Sequence, residues 1–189
     1  MDKGLFTGIN AKVLTHEDMS LHTTFKIGGP ADYFVVPEDI EALKKAREAA
    51  VQAGLECFIL GGGANVLFPD AGYHGVVIAT EGLKQIFLET NGLLHAGCGA
   101  AISDVAQFAS SVGRAGLQYF YSMPGSTGGA IYMNARCYNA SISDALKAAV
   151  YLDGDGSVNK INLVAKVRRH GNLYHCTLTN RDIIDAKRC

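Results

Sequence analysis

The chain lacks most of the features that assign a protein at sight. No apolar run approaches the ~18 residues of a membrane-spanning helix, and Met1-Asp2-Lys3 is followed by no apolar signal core. A cytoplasmic protein without a membrane partner is therefore expected. The five cysteines, Cys57, Cys98, Cys137, Cys176 and Cys189, are odd in number and widely spaced, with no C-x-x-C pair and no nearby cysteine or histidine ligand cluster. That pattern supports neither a disulfide framework nor a zinc site, and no metal is expected. The phosphate-loop signature ending in G-K-[ST], the dinucleotide fingerprint G-x-G-x-x-G and the nucleophile elbow G-x-S-x-G are all missing. The last serine is Ser157 and the last glutamate Glu89, so the C-terminal end lacks two common proton-transfer residue types.

What is present is the composition of an ordinary globular protein, 48% hydrophobic and 19% charged over 189 residues. Such a length suits one domain or two small lobes, and folding should bury about 70% of the surface of the extended chain. The formal net charge of -1 conceals an asymmetry. Residues 1–157 hold 10 basic and 16 acidic side chains, whereas residues 158–189 hold 7 and 2. The basic residues of that tail, Lys166, Arg168, Arg169, Arg181, Lys187 and Arg188 among them, are scattered without aromatic interleaving, so no nucleic-acid partner is expected.

After a polar N-terminal stretch, a Gly28-Gly29-Pro30 turn signal precedes the alternating run Asp32–Val36, which reads as a strand. Pro37-Glu38-Asp39 then opens a helix with Ile40, Leu43, Ala46, Ala50 and Val51 at helical spacing and Gly54 as its stop. Cys57–Leu60 is a strand that feeds a glycine loop. Strands are expected at Val76–Ala79, Gln85–Leu88 and Leu93–Ala96, the last two joined at Asn91-Gly92, and the region as a whole reads as antiparallel. A second helix, marked by Ile102, Val105, Ala106, Ala109 and Val112, takes Ser103 or a neighbour as its cap. Tyr119–Tyr121 reads as strand core. Ala148–Leu152 and Val158–Val164 flank a turn at Asp153–Ser157, and residues 168–189 show no sustained pattern.

Two glycine-rich segments carry the chemistry. The first is Gly61, Gly62, Gly63, Ala64, Asn65, Val66 and Leu67; the second is Pro124, Gly125, Ser126, Thr127, Gly128, Gly129 and Ala130. Glycine lets backbone N–H groups approach an anion without a Cβ in the way, and it adopts the positive φ angles that turn successive donors inward. A diphosphate is the natural guest. The competing reading makes the first segment a tight strand-to-loop turn and the second a close-packing device. Asn65 suits either an amide donor to a ligand or a cap on its own loop, and the cap is favoured. Cys137 reads as a small buried hydrophobe, His74 and His95 as ordinary histidines near strand ends, and Ser122 and Ser126 as loop hydrogen-bonding groups.

Three segments, Thr24–Asp32, Gly61–Phe68 and Met123–Ala135, resemble in order and spacing the UDP-N-acetylenolpyruvoylglucosamine reductases, flavoproteins of peptidoglycan synthesis. The resemblance covers about residues 20–155. It implies an α+β, two-lobed FAD-binding module of the vanillyl-alcohol oxidase type with an irregular C-terminal tail. The lobes would be 1–80 and 81–157, followed by a divergent basic tail at 158–189. It further implies that Gly61–Leu67 wrap the FAD diphosphate, that Pro124–Ala130 line the diphosphate and the flavin-proximal side, and that Met133 and Asn134 extend that wall. The implied reaction is a hydride relay from NADPH through FAD to the enolpyruvyl double bond of UDP-N-acetylenolpyruvoylglucosamine, with a protein group protonating the neighbouring carbon.

The resemblance also implies an arginine in a Tyr-Arg-x-Ser-x-Phe segment, then a serine donor and a glutamate in a later substrate domain. None of these is found in this sequence. Val164–His170 has no matching Tyr, Ser or Phe, and Arg168 and Arg169 read as solvated charge. The expectation is a chain without its substrate domain, holding no catalytic residue, with negligible reductase turnover and with self-association through the surface around Tyr119–Met123 left uncovered.

Overall fold

The computed structural model describes residues 3–153 and 157–162. Its central element is a four-stranded sheet of strands β1 (Ala11–Asp18), β2 (Pro30–Pro37), β3 (Cys57–Leu60) and β4 (Tyr73–Ala79), in the order β1-β2-β4-β3. Strand β1 runs antiparallel to β2, while β4 runs parallel to both β2 and β3. The parallel pairing corrects the antiparallel expectation for Val76–Ala79. Its cause is visible in the sequence of β2 and β4, which read as unbroken apolar runs because both faces are buried. Tyr33, Val35, Val76 and Ile78 point into one core with Leu43, Ala46 and Ala50; Phe34, Val36, Val77 and Ala79 point into another with Met19, Leu60 and Phe68.

Strand β1 lies inside the stretch that reads as merely polar. None of its residues is fully buried, and Lys12, His16 and Asp18 are exposed, as suits an edge strand. Helix α1 (Ile40–Gln52) covers one face of the sheet. The Asp39 carboxylate caps it, accepting from the Ala42 N–H at 2.7 Å and from Asn10 Nδ2 at 3.0 Å. These bonds, the Asn10 amide first, hold Asp39 below the usual carboxylate range. Gly54 follows the helix at φ +68°, as its stop signal requires. Val51 does not belong to the buried stripe and is 62% exposed.

The rest of the chain packs a separate core. Strands β5 (Ile86–Leu88) and β6 (Leu94–Ala96) form the antiparallel hairpin expected at Asn91-Gly92. Helix α2 (Ile102–Ser111) starts after Ala101, which makes no side-chain cap bond, so Ser103 is not the cap. Tyr119–Tyr121 is not strand: a 3-10 turn spans Gln118–Phe120, burying Phe120 and leaving Tyr119 and Tyr121 largely exposed. Helix α3 (Thr127–Tyr132), strands β7 (Arg136–Cys137) and β8 (Ala140–Ser141) and helix α4 (Ile142–Ala145) follow. Ala96, Ile102, Val105, Phe120, Ile131 and Ile142 share this third core.

Strands β9 (Ala148–Leu152) and β10 (Val158–Asn162) pair antiparallel, closed by an Asp153 N–H to Ser157 O bond of 2.8 Å. Leu152 returns to the first core, as do Leu83 and Cys98. The expected turn centre at Gly154–Gly156 and the patternless segment 168–189 lie outside the described residues.

Candidate functional site

The site forms where β3 ends. Gly61–Gly63 leave the sheet edge and run directly against Gly125–Ser126, some sixty residues later in the chain. A Cβ on Gly61 would strike Ser126 Oγ, and one on Gly62 would lie 2.7 Å from both Gly125 Cα and Ser126 N. Gly63 adopts φ +62° with its α-carbon against the His22 carbonyl oxygen, and its own carbonyl accepts from the Thr24 N–H at 3.1 Å. Only glycine fits these contacts. The two loops therefore meet, and they meet through main-chain atoms.

The amide N–H groups of Gly62, Gly63, Ala64 and Asn65, and those of Gly125 and Ser126, find no acceptor among the described residues. Amides of two abutting loops are thus left without internal partners at one junction, an arrangement able to receive an anion through fixed dipoles. Helix α3 begins at this junction, where Ser126 Oγ accepts the Gly129 N–H at 3.2 Å. The second loop is preceded by the 3-10 turn at Gln118–Phe120 and passes into helix at Thr127, so it is a turn-to-helix junction and not a loop behind a strand.

Around the junction opens a cleft of ≈ 640 Å³, within the range of small-molecule sites. Gly61, Gly62, Gly63, Ala64, Asn65 and Val66 form one side; Pro124, Gly125, Ser126, Gly128, Gly129 and Ala130, with Met133, form the other. Three residues singled out in the sequence do not line it. Leu67 is 65% exposed, away from the cleft. Thr127 is buried and locks α3 to the strand-end segment, its Oγ1 donating to Ala100 O at 2.9 Å. Asn134 sits behind the wall at φ +44°, the left-handed position that ends α3, with its own N–H on Ile131 O and the Ala135 N–H on Ala130 O. Its Oδ1 is buried with no hydrogen-bond partner among the described residues. Asn65 is exposed, and its side chain makes no bond to its own loop among the described residues, contrary to the favoured cap.

The sequence reading missed the opposite wall. Cys57, Phe58 and Ile59 on β3, with Thr80, Cys98, Met123 and Tyr132, complete the larger cleft. Burial pushes the Cys57 thiol up to about 11, so it stays protonated at neutral pH. No carboxylate, ammonium, guanidinium or imidazole lines this cleft among the described residues; its polar side chains are those of Cys57, Asn65, Thr80, Cys98, Ser126 and Tyr132. A second cleft, of ≈ 300 Å³, shares Gly61 and Gly62 and is bordered by His22, Thr23, Thr24 and Glu81. Spacing alone could not bring His22, Thr23 and Glu81 to it, because they come from separate segments and lie in no motif. Of the remaining candidates, Cys137 is half-buried in β7, His74 lies within β4 and His95 within β6.

Residues 31–162 match the family model described as FAD binding domain. The chain is 38% identical over 144 residues to UDP-N-acetylenolpyruvoylglucosamine reductase from Clostridium novyi, covering 76% of this chain and 47% of that protein. To the protein of the same name from Halalkalibacterium halodurans it is 40% identical over 149 residues, covering 78% and 49%. The chain thus spans about half the length of the curated relatives it matches. Among solved structures, UDP-N-acetylenolpyruvylglucosamine reductase from Thermus caldophilus superposes with a TM-score of 0.66 at 28% identity, over 80% of this chain and 52% of that one. A 6-hydroxy-D-nicotine oxidase from Arthrobacter nicotinovorans gives 0.64 at 17% identity, over 86% and 37%, a likeness of fold alone. The architecture is an α+β FAD-binding module of the vanillyl-alcohol oxidase type. On the match over residues 31–162, the chain belongs to the FAD binding domain family, and its similarity is to the UDP-N-acetylenolpyruvoylglucosamine reductases.

Proposed function

We propose that this chain binds FAD as the cofactor-holding part of an NADPH-dependent UDP-N-acetylenolpyruvoylglucosamine reductase, an oxidoreductase of peptidoglycan precursor synthesis in the cytoplasm. One observation carries the reading: Gly62 abuts Gly125 and Ser126 so closely that no side chain fits between them, and the amides on both sides lack acceptors. The residues fit the cofactor. A diphosphate at the junction meets converging N–H donors, and the two clefts that share Gly61 and Gly62 leave room for a nucleotide arm on either side.

Bound FAD would supply hydride transfer from NADPH to an enolpyruvyl double bond. The chain's own part is to hold and shield. The amides of Gly62–Asn65, Gly125 and Ser126 take the diphosphate charge without a lysine or arginine. Phe58, Ile59, Val66 and Met123 exclude water from the larger cleft, and Thr127 fixes the start of α3. Positioning of the enolpyruvyl carboxylate and delivery of the proton need groups that this sequence does not offer in the expected Tyr-Arg-x-Ser-x-Phe segment. Turnover by the 189-residue chain alone is accordingly negligible beside the ~10 per second of a typical enzyme.

A second reading, a non-catalytic FAD- or nucleotide-binding module, is favoured by the absence of carboxylate, imidazole, ammonium and guanidinium side chains from the larger cleft among the described residues. Purified protein decides between the outcomes. Yellow protein, or stoichiometric uptake of added FAD, supports the flavin reading, and protein that stays colourless and binds none refutes it. Sugar-dependent NADPH oxidation by this chain at enzymic rates would overturn the non-catalytic part. We also propose that copies associate through Tyr119, Tyr121 and Tyr138, which are 44%, 59% and 87% exposed. Sedimentation as a monomer at high concentration would refute that.

A further inference from the structure

We infer that Asn91 is a site of spontaneous, non-enzymic deamidation gated by opening of the β5–β6 hairpin, and that the conversion then holds the hairpin loosened. The inference concerns a modification site and does not depend on the cofactor reading.

The chemistry favours an asparagine followed by a residue without a Cβ. The main-chain nitrogen of that next residue gives its proton to hydroxide and attacks the side-chain carbonyl carbon, Cγ. A C–N bond forms as the bond from Cγ to the side-chain nitrogen breaks, and that nitrogen leaves as ammonia. Water then opens the five-membered imide at either carbonyl, giving an aspartate or its β-linked isomer. The sum is amide plus water to carboxylic acid plus ammonia, with nothing oxidised or reduced. Asn91 meets the requirement, since it is exposed at the hairpin tip and Gly92 follows it.

The closed hairpin withholds both reacting groups. The Gly92 N–H donates to Glu89 O at 2.9 Å and the Glu89 N–H to Leu93 O at 2.8 Å, so the nucleophile lies in a closed loop with Gly92 at φ +82°. The Asn91 side chain is tied at both ends: Nδ2 donates to Glu89 Oε2 at 2.7 Å, and Oδ1 accepts from the Leu93 N–H at 2.8 Å. Bringing Cγ onto the Gly92 nitrogen requires these bonds to break. Little opposes their breaking, because β5 and β6 form a two-stranded sheet of three residues each, with Phe87, Leu88 and Leu93 exposed.

Conversion removes the donor and sets a like charge where Nδ2 stood, 2.7 Å from Glu89 Oε2. Glu89 Oε1 already faces His95 Nδ1 at 3.9 Å, and the His95 ring is stacked on Phe87 at 4.5 Å between centroids. Arg114 lies against Gly92, where a Cβ would sit 2.7 Å from Nη2, but its guanidinium is on an exposed residue and offsets little of a repulsion at such short range. The β-linked isomer adds a methylene to the main chain inside the loop, which the Glu89–Leu93 closure cannot span unchanged. Ammonia has left, so the hairpin does not return to its first state.

The test is mass spectrometry of tryptic peptide 85–114, in which Asn91 is the only asparagine, after the full chain has been incubated in mildly alkaline buffer, native and in urea. The native chain is expected to exchange NH2 for OH at Asn91 about tenfold more slowly than the unfolded one. Gly92→Ala is expected to slow the unfolded chain's conversion, a comparison that does not require the variant to fold. Asn91→Asp is expected to lower the melting temperature by about 2 °C and to speed hydrogen exchange at the Leu93 amide. In a Glu89→Gln background both effects of Asn91→Asp are expected to vanish. An Asn91 that stays unconverted in urea overturns the site, and equal rates in the native and unfolded chains overturn the gate. An Asn91→Asp effect that is absent, or that persists in full beside Glu89→Gln, overturns the loosening.

Discussion

Replacing Gly62 with alanine tests the junction with one methyl group. The residue is exposed, outside the three buried clusters, and does not use a positive φ, so the backbone tolerates alanine and the apo fold should survive. The added Cβ, however, would sit 2.7 Å from Gly125 Cα and Ser126 N and 2.8 Å from Gly125 C, where ordinary contact begins at 3.4 Å. All three are backbone atoms and none can swing aside, so the loops must part by about 0.7 Å. Amide donors aimed at a common anion cannot both stay within hydrogen-bonding distance across that shift. Losing one or two bonds to a charged acceptor costs about 2–4 kcal/mol, a rise of roughly 30- to 1,000-fold in the Kd for FAD. The chain contains no tryptophan, so the assay is the flavin's own fluorescence or absorbance. A Gly62→Ala protein that melts like wild type and holds FAD within threefold of it would refute the claim that the two loops clamp one ligand group.

Further expectations are independent of that clamp. Asn134→Gly removes both a side-chain oxygen buried without a partner and a non-glycine residue at φ +44°, and should raise stability by about 1 kcal/mol, read as an increased melting temperature. Asp39→Ala removes the cap of α1 and should lower stability at neutral pH by about 1 kcal/mol. Because folding lowers the Asp39 pKa, the wild type gains this stability above the unfolded-state value and loses it as the pH falls through the folded-state value, so the two proteins should converge in acid; a gap that is unchanged at low pH would refute the cap. Cys57, its thiol raised to about 11 by burial, should resist iodoacetamide at pH 8 in a peptide-mapping experiment while a denatured control reacts.

The elements legible in the sequence are those whose pattern is local. The buried strands β2, β3 and β4, the capped helix α1 and the Asn91-Gly92 hairpin each announce themselves through apolar runs, spacing or turn residues. Strand β1 escaped because an edge strand buries little: its Lys12, His16 and Glu17 look like loop residues until Phe34 and Tyr33 are known to lie opposite Leu14 and Thr15. Tyr119–Tyr121 misled in the opposite sense, since three large rings suggest a strand although only Phe120 finds a core. For the site, the glycines were readable because their absent side chains are themselves the signal. Phe58, Cys98, His22 and Glu81 were not, because they reach the clefts only after β4 and α3 bring distant segments together, and nothing in their local spacing encodes that meeting.

Leu83, Cys98 and Leu152 insert beneath the β2 and β4 strands contributed by the first eighty residues. The polypeptide is thus stitched, its later portion re-entering the earlier one at several points. Cleavage in the exposed Gly113–Gly116 bend should leave two pieces that remain associated and melt together in one cooperative transition. Each piece expressed singly would hold only half of the core that Ala96, Ile102 and Val105 share with Phe120, Ile131 and Ile142, so the groove between the glycine turns arises only when both have folded as a unit.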